Sequence, residues 1–244
     1  RRLAYAKNIT GAIKCGFPVL LEGPAAVGKT AMITMLANNW VDEGRKEPLQ
    51  LERVNNTQTT TIEDYFGTYV PQADGKLVFL EGNLYKALEH GHWFLADELN
   101  LADPNIMSTL APILEGSSSI LVPGTDKILT IDSKFRFFAT QNPAGSSYAG
   151  RNKLPVTLRS RFMEVQVLDF STVMDSDEVD ELTLILKQRQ DRSKHTKGMT
   201  EAPSHDACKY MSKVYGTLAK DKGLRITFRE LVKWRRRNYK FVQE

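Results

Sequence analysis

Through the first 170 residues, short apolar runs alternate with longer stretches of helical period. Val19–Leu21, Leu49–Val54, Trp93–Ala96, Phe135–Ala139 and Val165–Leu168 read as strands. Lys29–Asn39, Leu84–His90, Pro104–Glu115 and part of Asn152–Arg161 read as helices. Near-continuous apolar strands separated by helices predict an α/β fold on a parallel sheet. Two segments interrupt this rhythm. "GTYVPQADGKLVFLEG" predicts a β-hairpin turning at Asp74-Gly75, and "SSSILVPGTDKILTID" predicts another turning between Pro123 and Lys127.

Past Phe170 the strand pattern stops. "DSDEVDELTLILKQRQ" predicts a helix with acids early and bases late, as its dipole favours. A polar stretch from Asp191 to Ser204 reads as a loop, followed by two more helices. The second opens at "ITFRELVKW", where Thr227 and Glu230 have capping-box spacing. The expected organisation is an α/β domain over 1–170 and a small helical domain over 171–244. No internal repeat or low-complexity segment is visible.

Composition changes this picture little. The 244 residues are 41% hydrophobic and 25% charged, ordinary for a globular chain, and a net charge of +4 is too weak to argue for nucleic acid by itself. With only Cys15 and Cys208 and no CxxC, neither a disulfide scaffold nor a zinc site is expected, and a reducing compartment is the simpler inference. No apolar run approaches the roughly 20 residues that span a bilayer, so no membrane partner is expected. The chain begins at Arg1, which fits a module cut from something longer as well as a stand-alone protein.

The chemistry starts at "LLEGPAAVGKTAMI". Gly23-Pro24-Ala25-Ala26-Val27-Gly28-Lys29-Thr30 matches GxxxxGK[ST] between a predicted strand and a predicted helix. Glycine-bounded backbone amides can wrap phosphate oxygens, and the helix N-terminus that opens through Ala31 adds positive dipole. Lys29 would reach the outer phosphates and the Thr30 hydroxyl would ligate Mg²⁺. Such a loop needs a carboxylate from a neighbouring strand, and "HWFLADELNLADPN" ends an apolar strand on Asp97-Glu98. Asp97 would hold the metal, and Glu98 would act as general base on the attacking water. "FRFFATQNP" ends on Asn142, an amide placed to orient that water. The ligand expected from these residues is a nucleotide's phosphates with Mg²⁺, and that the nucleotide is ATP is what the family these motifs resemble implies.

Together these motifs resemble an AAA+ ATPase: P-loop, Walker B (Trp93–Glu98), sensor 1 (Asn142), the segment "LRSRF" and a helical lid. The two hairpins are similar to the insertions of the branch holding the MoxR-like, dynein-related and midasin ATPases. "YFGTYVPQADGKLVFLEGNLYKAL", "DELNLADPNIMSTLAPILE" and "ATQNPAGSSYAGRNKLPVTLRSRFMEV" are most similar to midasin modules, over residues 8 to 170. The resemblance implies that Arg161, with Arg159 as second choice, is an arginine finger entering a neighbour's site, and that Arg229 is sensor 2. It also implies that Asn55 or Asn56 matches a polar residue that toggles the catalytic glutamate. Finally it implies neighbouring AAA+ modules in a six-membered ring, a protein or pre-ribosomal ribonucleoprotein client, and an intracellular, nuclear or nucleolar location. The function expected is a ring motor that remodels an assembly. Two alternatives stay open: a nucleic-acid translocase, supported by "KWRRRNYK" with five basic residues in eight and Trp234 and Tyr239 interleaved, and a nucleotide-gated binding module without turnover.

Overall fold

The computed structural model describes residues 2–41, 49–143 and 154–169, together with helical residues between 182 and 233, chiefly His205–Ala219. The chain divides into two compact units, Leu3–Gly23 with Gly28–Val167, and Leu168–Glu244 with Arg1–Arg2 and Pro24–Val27.

The first unit is built on a five-stranded, all-parallel sheet ordered β2-β5-β8-β1-β9. Its strands are β1 (Val19–Glu22), β2 (Leu51–Asn55), β5 (Trp93–Asp97), β8 (Arg136–Gln141) and β9 (Met163–Gln166). Helices α2 (Lys29–Asn39), α4 (Asn83–His90) and α5 (Pro104–Leu114) carry the crossovers. Central β5 is buried along its whole length, as its uninterrupted apolar run requires. Tyr65, Phe94 and Phe137 stack through successive rings, at centroid distances of 5.6 and 5.4 Å, inside a core that also holds Leu84, Leu88, Leu99 and Leu110.

Both expected hairpins form. β3 (Gly67–Pro71) pairs antiparallel with β4 (Leu77–Glu81), and β6 (Ser119–Leu121) pairs with β7 (Ile128–Thr130). Several strand ends differ from the apolar pattern. β8 runs to Gln141 and β2 to Asn55, because ladder bonds do not stop where hydrophobicity does. β9 starts at Met163, since Met163 N donates to Pro18 O at 2.8 Å before the apolar residues begin.

Two helices had no periodic signal strong enough to predict. α1 (Arg2–Cys15) buries Ile9, Ala12 and Ile13, and Arg136 Nε donates to Ile13 O at 2.8 Å near its C-terminus. α3 (Ile62–Phe66) is one short turn, opened by Thr61 N donating to Asp64 Oδ2 at 2.8 Å. α6 (Val156–Arg159) is shorter than the stretch Asn152–Arg161 in which a helix is expected: Leu154 and Pro155 precede it and Ser160 and Arg161 turn away from it.

Between residues 182 and 233 the second unit is helical where it is described. On α7 (His205–Ala219), Cys208, Met211, Ser212 and Tyr215 are buried at helical spacing, as are Leu182, Thr183, Leu186 and Leu231. Thr183 Oγ1 donates to Ser212 Oγ at 3.3 Å. The capping position Thr227 and the proposed sensor 2, Arg229, lie outside the described residues.

Phe94 lies at the junction of β5 with the ring stack and is fully buried. Phe94→Ala should lower the unfolding free energy by about 3–5 kcal/mol, the usual cost of an aromatic truncation that cannot be refilled. Chemical denaturation followed by intrinsic fluorescence measures it.

Candidate nucleotide site

In a parallel sheet, the strand C-termini share one edge, and ligands collect there. Register sets which residues meet. Glu22 pairs with Gln141 and Ala96 with Ala139, so Gly23, Asp97, Thr140 and Asn142 emerge side by side from β1, β5 and β8.

The phosphate-loop candidate leaves β1 at Gly23. A Cβ built on Gly23 would stand 2.2 Å from Val167 O, so only glycine lets the chain turn there. It rejoins the helix at Gly28, whose φ of 91° is left-handed and favours glycine. The N-cap residue Gly28 makes no side-chain cap bond, as suits a helix N-terminus that receives an anion. Lys29 is buried, and its Nζ donates to Gly23 O at 2.7 Å and to Asn142 Oδ1 at 2.6 Å.

Asn142 is the centre of the arrangement. Its Nδ2 donates to Glu98 Oε1, so one amide joins the lysine to the glutamate. The amide orientation follows from its partners, since an ammonium group only donates and a carboxylate only accepts. Glu98 has φ 55° and ψ 45°, a left-handed conformation uncommon for a residue with a Cβ. Two bonds hold it there, Glu98 N to Thr140 Oγ1 at 3.0 Å and Leu101 N to Glu98 O at 2.9 Å. Backbone strain of this kind concentrates at functional sites.

Thr30 Oγ1 lies 3.0 Å from both oxygens of Asp97. A hydroxyl and a carboxylate converging at a helix N-terminus are hard oxygen donors of the kind Mg²⁺ takes. They are too few for an all-protein cage, so an ion there would complete its shell with water and phosphate oxygens. The residues therefore fit a nucleotide-bound Mg²⁺.

Two contributors carried no signal in the motif. Thr140, 1% exposed, accepts from Glu98 N and donates to Asp97 Oδ1, tying the two acidic residues together. Arg53, on β2, donates from Nη2 to Asp97 Oδ2 at 2.5 Å and to Asn55 Oδ1 at 2.6 Å. Thr140 could have been suspected from its place two residues before Asn142. Arg53 could not, because only the sheet order places β2 beside β5.

Of the two asparagines considered as a toggle, Asn55 accepts from Arg53. Asn56 is buried, and both its backbone N and its Nδ2 donate to Asp97 O at 2.9 Å. Tyr65 OH donates to Asn56 Oδ1 at 2.8 Å, and burial holds that phenol's pKa well above its ordinary value.

The two arginines of "LRSRF" have separate surroundings. Arg159 binds Glu164 through Nε at 2.8 Å and Nη2 at 2.5 Å, and reaches Glu22 Oε2 at 3.0 Å. The hydrogen bond from Arg159 lowers the Glu164 pKa, and its counterpart raises that of Arg159. Arg161 is held by Glu115 Oε1 at 2.8 Å from Nε and by Thr157 O at 2.6 Å from Nη1. Neither joins the Lys29–Asn142–Glu98 chain. The basic segment after Lys233 lies outside the described residues.

A family model for the AAA domain of the dynein-related subfamily matches residues 18–162, more than half of the chain. This chain is an AAA+ ATPase domain of that subfamily. The matched region contains every residue of the site just described. Midasin of Giardia intestinalis is 38% identical over 170 residues, and midasin of Dictyostelium discoideum 37% identical over 165. The matches cover 69% and 68% of this chain but only 3% of either midasin. The crystal structure of a candidate ATPase from Cytophaga hutchinsonii superposes with a TM-score of 0.54 at 20% identity, covering 89% of this chain and 65% of that one, which speaks for the fold. Among the described residues no helix is long and apolar enough to cross a membrane.

Lys29→Ala removes a buried ammonium that bonds Gly23 O and Asn142 Oδ1. Charge-assisted hydrogen bonds contribute about 1.5–3 kcal/mol each, so ATP affinity should fall about 100-fold or more. Calorimetric titration checks this, and unchanged affinity would remove Lys29 from the site.

Proposed function

We propose that this module binds ATP with Mg²⁺ at the loop spanning Gly23–Ala31 and hydrolyses it as one member of a ring of AAA+ modules. The observation that supports this reading best is the continuous chain Lys29–Asn142–Glu98 beside the Thr30–Asp97 pair. Phosphate recognition, metal binding and water activation thereby fall within one hydrogen-bonded cluster.

Each residue has a distinct task. Lys29 and the helix amides bind the phosphates, and Asn142 orients the water against the terminal one. Glu98 takes the proton from that water as it attacks phosphorus, and the β–γ bridging oxygen leaves with ADP. Thr30 and Asp97 would hold Mg²⁺, which supplies charge neutralisation on the phosphate oxygens. Arg161 acts in trans on a neighbouring module's nucleotide. Arg159 fits that role less well, being bound to both Glu22 and Glu164 of its own unit. Arg229 on the helical lid is proposed to touch the terminal phosphate. The domain boundary near 170 belongs to the same reading.

Turnover would drive remodelling of a protein or ribonucleoprotein assembly. The likeness to midasin supports a pre-ribosomal client and a nuclear or nucleolar site of action. No described feature favours nucleic-acid translocation. The hairpin tip between Val122 and Lys127 offers phosphates one lysine and one aspartate, Lys127 and Asp126.

Glu98→Gln keeps the shape and the bond from Asn142 but loses the base. ATP affinity should stay within a few fold, while single-turnover hydrolysis falls about 10²–10⁴-fold. Turnover surviving near the parent level would assign the base elsewhere. A parent that binds ATP without any hydrolysis, even in its ring, would favour the binding-module alternative.

The trans role makes activity depend on assembly. Arginine fingers contribute about 10³–10⁵ in rate, so a dilute monomer should bind ATP yet turn it over slowly, with specific activity rising steeply with protein concentration. Arg161→Ala should abolish that rise without changing ATP affinity. Fast, concentration-independent turnover in a demonstrated monomer, insensitive to Arg161→Ala, would exclude the trans mechanism.

A further inference from the structure

A carboxylate has about four lone-pair positions, and those of Asp97 are met from three directions. Thr30 Oγ1 approaches both oxygens at 3.0 Å, Thr140 Oγ1 donates to Oδ1, and Arg53 Nη2 donates to Oδ2 at 2.5 Å. These three donors leave about one position open, so a metal or its water that engages Asp97 competes with them for its oxygens. Thr140 is pinned, being buried and also accepting from Glu98 N. The Thr30 oxygen is itself a candidate metal ligand. Arg53 differs from both, since it carries a permanent charge and its side chain is 43% exposed.

Topology explains why a cation stands there. Asn55 is the register partner of Asp97, and Arg53 lies two residues earlier on the same face of β2. The same Nη2 reaches Asn55 Oδ1 at 2.6 Å, and Asn83 Nδ2 secures the Arg53 carbonyl at 2.9 Å. The backbone of Arg53 is therefore anchored while its guanidinium has a neutral second acceptor beside the carboxylate. Asp97 is buried while the arginine side chain is half-exposed, so solvent can take up the guanidinium when it leaves the carboxylate.

We propose that Arg53 is a resident counter-cation of Asp97 that Mg²⁺ displaces, so that Arg53 sets how much metal the nucleotide complex needs. The proposal rests on the reading of Asp97 as the metal carboxylate. With Arg53 in place, Asp97 keeps a neutralising partner in the metal-free state, and an arriving divalent ion meets both competition for Oδ2 and repulsion from the guanidinium.

The test is calorimetric titration of ADP into the full chain across a series of Mg²⁺ concentrations and in EDTA, with thermal melts confirming that each variant is folded. Arg53→Gln should lower the Mg²⁺ concentration for half-maximal tight binding by roughly three- to tenfold, while affinity in EDTA stays within about twofold. Arg53→Ala, a second variant in case the first is unstable, should shift the same way. Arg53→Lys, which keeps the charge, should stay near the parent. An unchanged Mg²⁺ requirement in both neutral variants, or an equal shift in Arg53→Lys, overturns the proposal. Asp97→Asn separates the two layers. If it leaves the Mg²⁺ dependence intact, the metal reading of Asp97 fails and the proposal fails with it. If it abolishes that dependence while Arg53→Gln changes nothing, only the role of Arg53 is lost.

Discussion

Parallel register places the ends of β1, β5 and β8 on one edge, and every polar contact of the site depends on it. A shift of one residue would turn Asp97 to the other face of its strand and remove it from Thr30. The register is held by the fully buried apolar residues of β5 and the ring stack beside it, which admit no alternative alignment without exposing the core. Core packing and site geometry are thus the same constraint seen from two ends of the strands.

Polar groups in such a place must be satisfied by one another. Asn142 meets Lys29 with its oxygen and Glu98 with its nitrogen, and Thr140 accepts from Glu98 N while donating to Asp97. These bonds hold Glu98 in a left-handed backbone conformation that typically costs about 1–3 kcal/mol. The strain re-aims the chain directly after Asp97, so that consecutive carboxylates serve different neighbours: Asp97 faces Thr30 and Arg53, and Glu98 faces Asn142.

Arg159 and Arg161 stand outside that cluster. Glu22, directly before Gly23, accepts from Arg159, Gln141 and Gln166, so the start of the loop after β1 is braced by an ion pair. Arg161 instead rests against Glu115, a half-exposed carboxylate just past α5. Two arginines with only Ser160 between them therefore face different partners because α6 ends at Arg159 and the chain turns into β9.

The parallel sheet, both hairpins and the loop–strand motifs were legible in the sequence because each depends on local order. Apolar runs mark buried strands, Asp74-Gly75 marks a turn, and the glycines at 23 and 28 mark a tight loop between a strand and a helix. α1 was not legible, since Thr10 and Gly11 weaken its helical pattern and its buried residues Ile9, Ala12 and Ile13 gain their meaning only from what they pack against. The parts played by Thr140 and Arg53 belong to the same class. Thr140 is marked only by its place two residues before Asn142 and Arg53 carries no local mark, and both meet Asp97 only because β2 and β8 flank β5. Sequence alone determined which residue types are available at each strand end, because strand period and motif spacing are properties of neighbouring residues. Only the tertiary structure decided which of them share a carboxylate, because hydrogen bonds reach about 3 Å and that proximity is set by strand order across the sheet.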